Sequence, residues 1–356
     1  MAEQPGPVGR TYLPQLVAWE TTRRCGLKCS HCRAAAQDVR YEGELTTAEG
    51  KRLLENIASF SKPIIILTGG EPLMRADIFE LSACGDKLGL RMALATCGVG
   101  LTREIALKFK ESGIRRLSLS IDGSTAETHD RFRNVPGAFE TALKAAEIAG
   151  SVGLPFQINT TVSRINADDL PAILKLAIDI GASAFHPFLL VPVGRGKALE
   201  NETLDPEKYE SILSWIAEEQ TRTSIPFKPT CAPHFHRIIR QKKLFKPSQP
   251  AHGHGLDVLS RGCLGGLGFA FISHVGRVQI CGFLEEPAGN VREENFNFRK
   301  IWETSPLFLA MRDKKRYKGR CGLCGFWQVC GGCRARAQAM NGHYLEEEPN
   351  CLYQPI

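Results

Sequence analysis

The sequence predicts an α/β fold: parallel strands alternating with helices, followed by a small cysteine-rich C-terminal domain. Three observations carry this. β-rich runs alternate with helix-period segments from residue 14 to about residue 190. Those runs are apolar without strict alternation, as parallel strands buried on both faces are. Of thirteen cysteines, three stand at 25–32 and seven follow residue 260, leaving only Cys84, Cys97 and Cys231 between.

The expected strands, in order, are Leu16–Glu20, Pro63–Thr68, Arg91–Thr96, Arg116–Ile121, Pro155–Val162 and Ala184–Leu190. Thr46-Thr-Ala-Glu49 reads as a capping box opening a helix with Leu53, Leu54 and Ile57 on one side. Asn166 is placed to cap a later helix whose Leu170, Ile173, Leu174, Ala177 and Ile180 follow the helical period. Six β/α units imply a parallel barrel or open barrel, with its chemistry at the C-terminal strand ends. The predicted boundaries are 14–195 for this core, 196–259 for a connecting segment and 260–356 for the C-terminal domain. The connecting segment holds one helix near Pro206–Glu219 and a stretch from Gln241 to Gly255 that reads as a loop, or else as a lid. Beyond residue 260 long apolar runs are few, so metals are expected to substitute for a core.

Bulk properties exclude several classes. At 356 residues, 43% of them hydrophobic, the chain can bury a large core. No stretch approaches the roughly 20 apolar residues that cross a bilayer. Residues 1–10 are rich in Pro and Gly without an apolar core, unlike a signal peptide. A cytoplasmic location is expected, and there thirteen cysteines imply metal binding or redox chemistry.

Cys25, Cys29 and Cys32 follow the first strand directly. Three thiolates in one loop can hold three irons of a 4Fe–4S cube and leave the fourth open. A zinc site is the competing reading, with His31 as a fourth ligand. Gly69-Gly-Glu-Pro72 ends the second strand. It reads as a turn, or as backbone and carboxylate groups that meet a ligand's ammonium. C-x-x-x-C-x-x-C after the first strand, then G-G-E-P after the second, resembles the radical S-adenosylmethionine (SAM) superfamily over roughly residues 14–195.

That resemblance implies a partial (β/α)6 barrel and a 4Fe–4S cluster on Cys25, Cys29 and Cys32 whose open iron binds SAM. It implies one-electron cleavage of SAM to a 5′-deoxyadenosyl radical. Gly69, Gly70 and Glu71 would meet the methionyl amine, and Ser120, in Ser118–Asp122, the ribose. Arg164 after the fifth strand is placed to fork onto the SAM carboxylate, or is a solvated arginine. Two positions depart from the pattern. His31 stands where Tyr or Phe is common, and Cys97 where Asn is common; a buried small hydrophobe is the plainer reading of that thiol.

The second constellation is Cys263, Gly276-x-x-x-x-Cys281, Cys321-x-x-Cys324, Cys330-Gly-Gly-Cys333 and Cys351. Any two of its pairs could be a zinc ribbon. Together they resemble the SPASM extension of radical SAM enzymes, which implies auxiliary 4Fe–4S clusters. Cys321, Cys324, Cys330 and Cys351 would hold one, and Cys263, Cys281 and Cys333 the other. For its fourth ligand Cys231, water, another side chain or substrate all stay open. Counting the cubes lowers the formal charge of +7 to about +3 or +2, too mild for a nucleic-acid face.

Cys330–Ala337, Glu346–Cys351, Gly26–His31 and Pro192–Arg195 resemble the tetrapyrrole-modifying branch. The resemblance implies that two propionates of iron-coproporphyrin III become vinyl groups, giving heme b, with flavodoxin or ferredoxin as external electron donor. Arg195, Lys197 and Arg334 are candidate propionate partners; His234, His236, His252 and His254 are candidate iron ligands or, more plainly, structural histidines. Three readings compete: action on another tetrapyrrole, in didecarboxysiroheme deacetylation or heme d1 synthesis; a peptide or sulfatase maturase; and a non-catalytic iron–sulfur or zinc scaffold.

Overall fold

A computed structural model describes residues 12–244 and 262–355. Six strands, β1 (Leu16–Thr22), β2 (Ile64–Gly69), β3 (Arg91–Thr96), β4 (Ile114–Ser120), β5 (Phe156–Val162) and β6 (Phe185–Leu189), lie side by side in chain order. Every neighbouring pair among them is parallel. The helices between them are α1 (Thr47–Phe60), α2 (Ile78–Lys87), α3 (Arg103–Glu111), α4 (Ala126–Arg133), α5 (Ala138–Ser151) and α6 (Leu170–Asp179). All six predicted strands are present, with ends differing by at most two residues.

Local chemistry explains these elements. The Thr46 side chain accepts from the Glu49 N–H while Glu49 returns a bond to the Thr46 N–H. α1 then buries Leu53, Leu54 and Ile57 on one face. The expected cap at Asn166 is corrected. Asp169 holds the capping position of α6, and Asn166 instead spends its amide on the carbonyls of Asp122 and Thr161 and accepts from Ser163 N–H. Asn166 therefore ties the β4 and β5 ends together, a contact with no periodic signature.

The connecting segment contains α7 (Pro206–Glu219), as predicted, and α8 (His234–Lys242). Most of the Gln241–Gly255 stretch, with His252 and His254, lies outside the described residues. After it come β7 (Phe269–Ile272), β8 (Arg277–Cys281), β9 (Leu284–Asn290), α9 (Phe298–Thr304), α10 (Pro306–Arg312), α11 (Gly319–Leu323) and α12 (Arg334–Asn341).

Here a second expectation is corrected. β7 pairs in parallel with β1, and β8 and β9 continue antiparallel, so one sheet of nine strands runs through both regions. Val278, Ile280, Phe298, Trp302, Phe308 and Met311 are buried in the same core as Val17, Trp19 and Leu53. Metals need not replace a core between residues 260 and 312.

The parallel sheet curls around a cavity. Alternate residues of each strand face it, including Ala18, Ile66, Ala93, Ser118, Asn159 and Phe188, as the period of two requires. Among the described residues no helix is long and apolar enough to cross a membrane.

Candidate functional site

The loops leaving the C-terminal ends of β1–β4 and β6 converge on one rim. Cys25, Cys29 and Cys32 stand in the loop after β1, with Cys25 and Cys29 buried. The loop is shaped by its own backbone: Cys25 N–H donates to Gln37 O, Cys32 N–H to Cys29 O, and Ala35 N–H to Cys32 O. Leu27 N–H points at the Cys25 sulfur (3.4 Å) and the Arg133 guanidinium at the Cys29 sulfur (3.6 Å). Donors aimed at sulfur favour thiolate over thiol.

Arg195 proves to be part of this scaffold. Its side chain donates to the carbonyls of Cys29 (2.9 Å) and Ala36 (2.6 Å), and its N–H to Cys32 O. The expected propionate partner therefore pins the cysteine loop from the β6 end. Lys197, next to it, is exposed. Arg164 is half exposed, paired with Asp205 (3.2 Å) and bonded to Thr203 O. The structure does not bring it to the cysteine loop.

Gly69, Gly70 and Glu71 sit against that loop from β2. Gly70 N–H donates to Thr22 O, and Glu71 N–H to Arg24 O. A Cβ on Gly70 would lie 2.4 Å from the carbonyl oxygens of both Arg23 and Arg24. A methyl there must displace backbone, so Gly70→Ala is expected to cost about 1–3 kcal/mol and to lower iron bound per chain after reconstitution. Unchanged melting temperature and iron content would show that the close approach is dispensable.

The Glu71 carboxylate is buried. It accepts from Leu73 N–H, Thr96 Oγ1 and Cys97 N–H, and Cys97 Sγ lies 2.8 Å from its Oε2. Burial pushes its pKa up while those donors pull it down. Cys97 also hydrogen-bonds the Cys25 side chain, which is the main influence lowering the Cys25 pKa. Far from being an inert core thiol, Cys97 bridges the cysteine loop and the glutamate.

Beside it, Leu27, Cys97, Ser120, His129 and Arg133 line one small cleft. Arg133 is buried and paired with buried Asp122 (2.6 Å). His31 stacks on Phe132 at 4.5 Å between ring centroids, so the planar ring does pack beside the last cysteine. Burial lowers its pKa to about 4, and the imidazole is neutral.

Eight further cysteines form two groups of four. Cys321, Cys324, Cys330 and Cys351 line one cavity together with His234. Phe326 N–H points at the Cys324 sulfur, Gly332 N–H at Cys330, and Glu348 N–H with the Arg334 guanidinium at Cys321. His234 is fully buried with neither ring nitrogen hydrogen-bonded. Such an orphaned group against four sulfurs suits an additional occupant with acceptor atoms. Arg334, expected as a propionate partner, is held by the carbonyls of Gly332, Tyr344 and Glu346.

The second group, Cys231, Cys263, Cys281 and Cys333, lines the central barrel cavity. With its open mouth and the solvent space there counted, this cavity spans about 1750 Å³. Its walls are mainly apolar strand residues, joined by Arg33, Arg116, His186, Lys228 and His236. Thr68, Ala95 and Ser118 place it just beneath the rim that carries Gly69, Cys97 and Ser120. Arg116, Lys228 and Cys231 are the functional candidates that sequence reasoning missed or left open. Arg116 and Lys228 carry no motif, and only an inward position on β4 or beside β6 marks them.

Glu20, at the base of the cysteine loop, is also buried. Burial pushes its carboxyl up, but Arg33, a His274 hydrogen bond and Arg23 outweigh it and hold it at about 2. Arg33, stacked on Phe271, is thereby fixed in the cavity wall.

Residues 19–177 match the radical SAM superfamily. Over 349 residues the chain is 48% identical to the AdoMet-dependent heme synthase of Methanosarcina barkeri (strain Fusaro / DSM 804), covering 98% of this chain and 99% of that protein. The chain belongs to the radical SAM superfamily. It is 34% identical to the Fe-coproporphyrin III synthase of the same organism, over 94% of this chain and 87% of that one. Streptococcus suis SuiB bound to S-adenosylmethionine shares this radical SAM fold with a TM-score of 0.74 and 16% identity, over 96% of this chain and 78% of SuiB. Membership in the radical SAM superfamily implies a 4Fe–4S cluster and SAM.

The donor sets suit such clusters: thiol groups gathered in threes and fours, with N–H donors aimed at the sulfurs of Cys25, Cys29, Cys321, Cys324 and Cys330. Among the described residues no three His, Cys, Asp or Glu side chains converge as the shell of a single metal ion would. A cube spreads its thiolates over separate irons and asks for a wider spacing.

Proposed function

We propose that this chain is a radical SAM heme synthase that oxidatively decarboxylates two propionates of iron-coproporphyrin III to vinyl groups, giving heme b. One observation carries the reading. The barrel encloses a mainly apolar cavity with cationic residues in its wall, a four-cysteine group in its lining and the rim of the Cys25–Cys32 loop above it. The 48% identity to a heme synthase over nearly the whole chain, against 34% to the Fe-coproporphyrin III synthase, supports this choice of tetrapyrrole chemistry.

In this reading Cys25, Cys29 and Cys32 hold the SAM cluster, and Gly69, Gly70, Glu71 and Ser120 contact SAM. The core, connecting segment and C-terminal region run over 14–195, 196–259 and 260–356, the first and last joined by one sheet. Two auxiliary clusters occupy the C-terminal cysteine groups, and a flavodoxin or ferredoxin supplies the reducing electron. When bound, these groups supply hydrogen-atom abstraction at the propionate carbon next to the ring and an acceptor for the electron left when carbon dioxide departs.

The chain's own residues do the rest. Buried Glu71 offers a carboxylate to the methionyl ammonium, with Cys97 and Thr96 holding its orientation. The apolar strand residues take the macrocycle and exclude water. Arg116 and Lys228, in place of Arg195, Lys197 and Arg334, receive substrate carboxylates inside the cavity. Arg164 remains a candidate for the SAM carboxylate only if it leaves Asp205.

The test is anaerobic turnover of reconstituted enzyme with SAM, reductant and iron-coproporphyrin III, read by mass spectrometry. Heme b is expected. No heme b and no porphyrin-dependent 5′-deoxyadenosine would overturn the reading. Lys228→Met is expected to raise KM for the porphyrin about 10- to 100-fold, the loss of a charge-assisted hydrogen bond of roughly 1.5–3 kcal/mol. An unchanged KM would remove Lys228 from the binding wall.

A further inference from the structure

We propose that Cys231 is the fourth ligand of the cluster held by Cys263, Cys281 and Cys333, closing that cluster with four protein thiolates. The proposal rests on the reading that the C-terminal cysteines carry clusters. It removes substrate and water from the fourth position.

Cys231 comes from outside the C-terminal cysteine pattern, and the fold brings it there. Residues 227–230 run alongside β6, with Phe185 bridged to Phe227 and Phe188 to Thr230. Leu189 N–H donates to Thr230 O, and Thr230 N–H to Pro187 O. This short added edge delivers Cys231 to the cavity wall that Cys263, Cys281 and Cys333 share.

The backbone at Cys231 is held on purpose. Its φ of +56° lies in the left-handed region, uncommon for a residue with a Cβ. Such strain persists where the surroundings over-determine it. Its carbonyl accepts from Tyr209 OH (2.9 Å) and Arg336 Nη1 (3.1 Å). Arg336 is wholly buried and paired with Glu348 (3.3 Å). The other oxygen of Glu348 accepts the N–H of Cys333 (2.6 Å). One buried network thus sets the backbone of both Cys231 and Cys333, the supporting shell that orients metal ligands. A thiol needed only as filler has no use for that shell.

A closed cluster cannot take substrate as a ligand, so this centre serves electron transfer alone. It also carries one more negative charge than a three-thiolate site, which lowers its potential.

The test uses the full chain with Cys25, Cys29 and Cys32 replaced by alanine, so that only auxiliary clusters form. Adding Cys231→Ala is expected to remove between about one and about four irons per chain, and the smaller loss should leave the signal of an oxidised 3Fe–4S cluster by electron paramagnetic resonance. Cys231→Ser, which keeps the side chain's size, should alter the spectrum of the reduced cluster and decides the matter if the alanine variant fails to fold. Cys84→Ala, on α2, should change neither readout. Iron content and spectra unaltered in both Cys231 variants would overturn the proposal. A parent without iron would overturn the reading beneath it, a different and recognisable failure.

Discussion

Replacing Cys25, Cys29 and Cys32 together by alanine is expected to abolish SAM cleavage while leaving the absorbance of the C-terminal clusters. These three residues occupy one loop, and no described thiol besides Cys97 stands against it. Cys97 is already engaged by Glu71 and Cys25. Ligands that act as a unit are not additive, so each single substitution should cost nearly as much as the triple one. The C-terminal groups are built on other elements, from Cys231 and from residues 263–351, and should still load iron. The measurement is 5′-deoxyadenosine formed under anaerobic reduction, with iron counted per chain. Cleavage retained at a comparable rate would refute the site assignment.

Glu348→Ala is the substitution expected to destabilise the chain most. It strands the Arg336 guanidinium in a site with no exposure, and removing one partner of a buried pair costs about 3–5 kcal/mol. It also deprives Cys333 N–H of its acceptor, while the Glu348 backbone N–H sits on the Cys321 sulfur. Iron should therefore fall in both C-terminal groups, and the melting temperature with it. Glu348→Gln keeps a hydrogen-bonding side chain and should cost less.

The pH dependence follows the same pair. Burial pushes the Glu348 carboxyl up, but Arg336, His234 and Arg334 prevail and hold it below its usual 4.5. Stability from this depressed carboxylate is present above that value and lost as pH falls through the folded one. A melting temperature insensitive to both substitutions would show that the pair carries no stability.

Several features were legible because they are local. Six strands declared themselves through β-rich runs and intervening helical periodicity, and the Thr46–Glu49 box marked the start of α1. Cys321, Cys324, Cys330 and Cys351 line one cavity, and Cys263, Cys281 and Cys333 line another. Other expectations failed where a side chain's partner is remote. Asn166 looks like a cap but bonds across to Asp122, 44 residues away. Arg195 looks like an anion binder but holds the Cys29 carbonyl 166 residues away. Arg164 lies after the right strand, yet its guanidinium turns to Asp205.

The sequence by itself determined the parallel α/β architecture, the cysteine loop after the first strand and the Gly-Gly-Glu turn beside it. Periodicity, capping and spacing are written within a turn or a strand of chain, so they survive without tertiary contacts. Only the tertiary structure decided that the C-terminal region shares the barrel's core, that Arg116 and Lys228 face its cavity, and that Cys231 joins three cysteines from another segment. Those outcomes depend on which faces a curved sheet turns inward and on how distant segments meet, and no local pattern of residues encodes either.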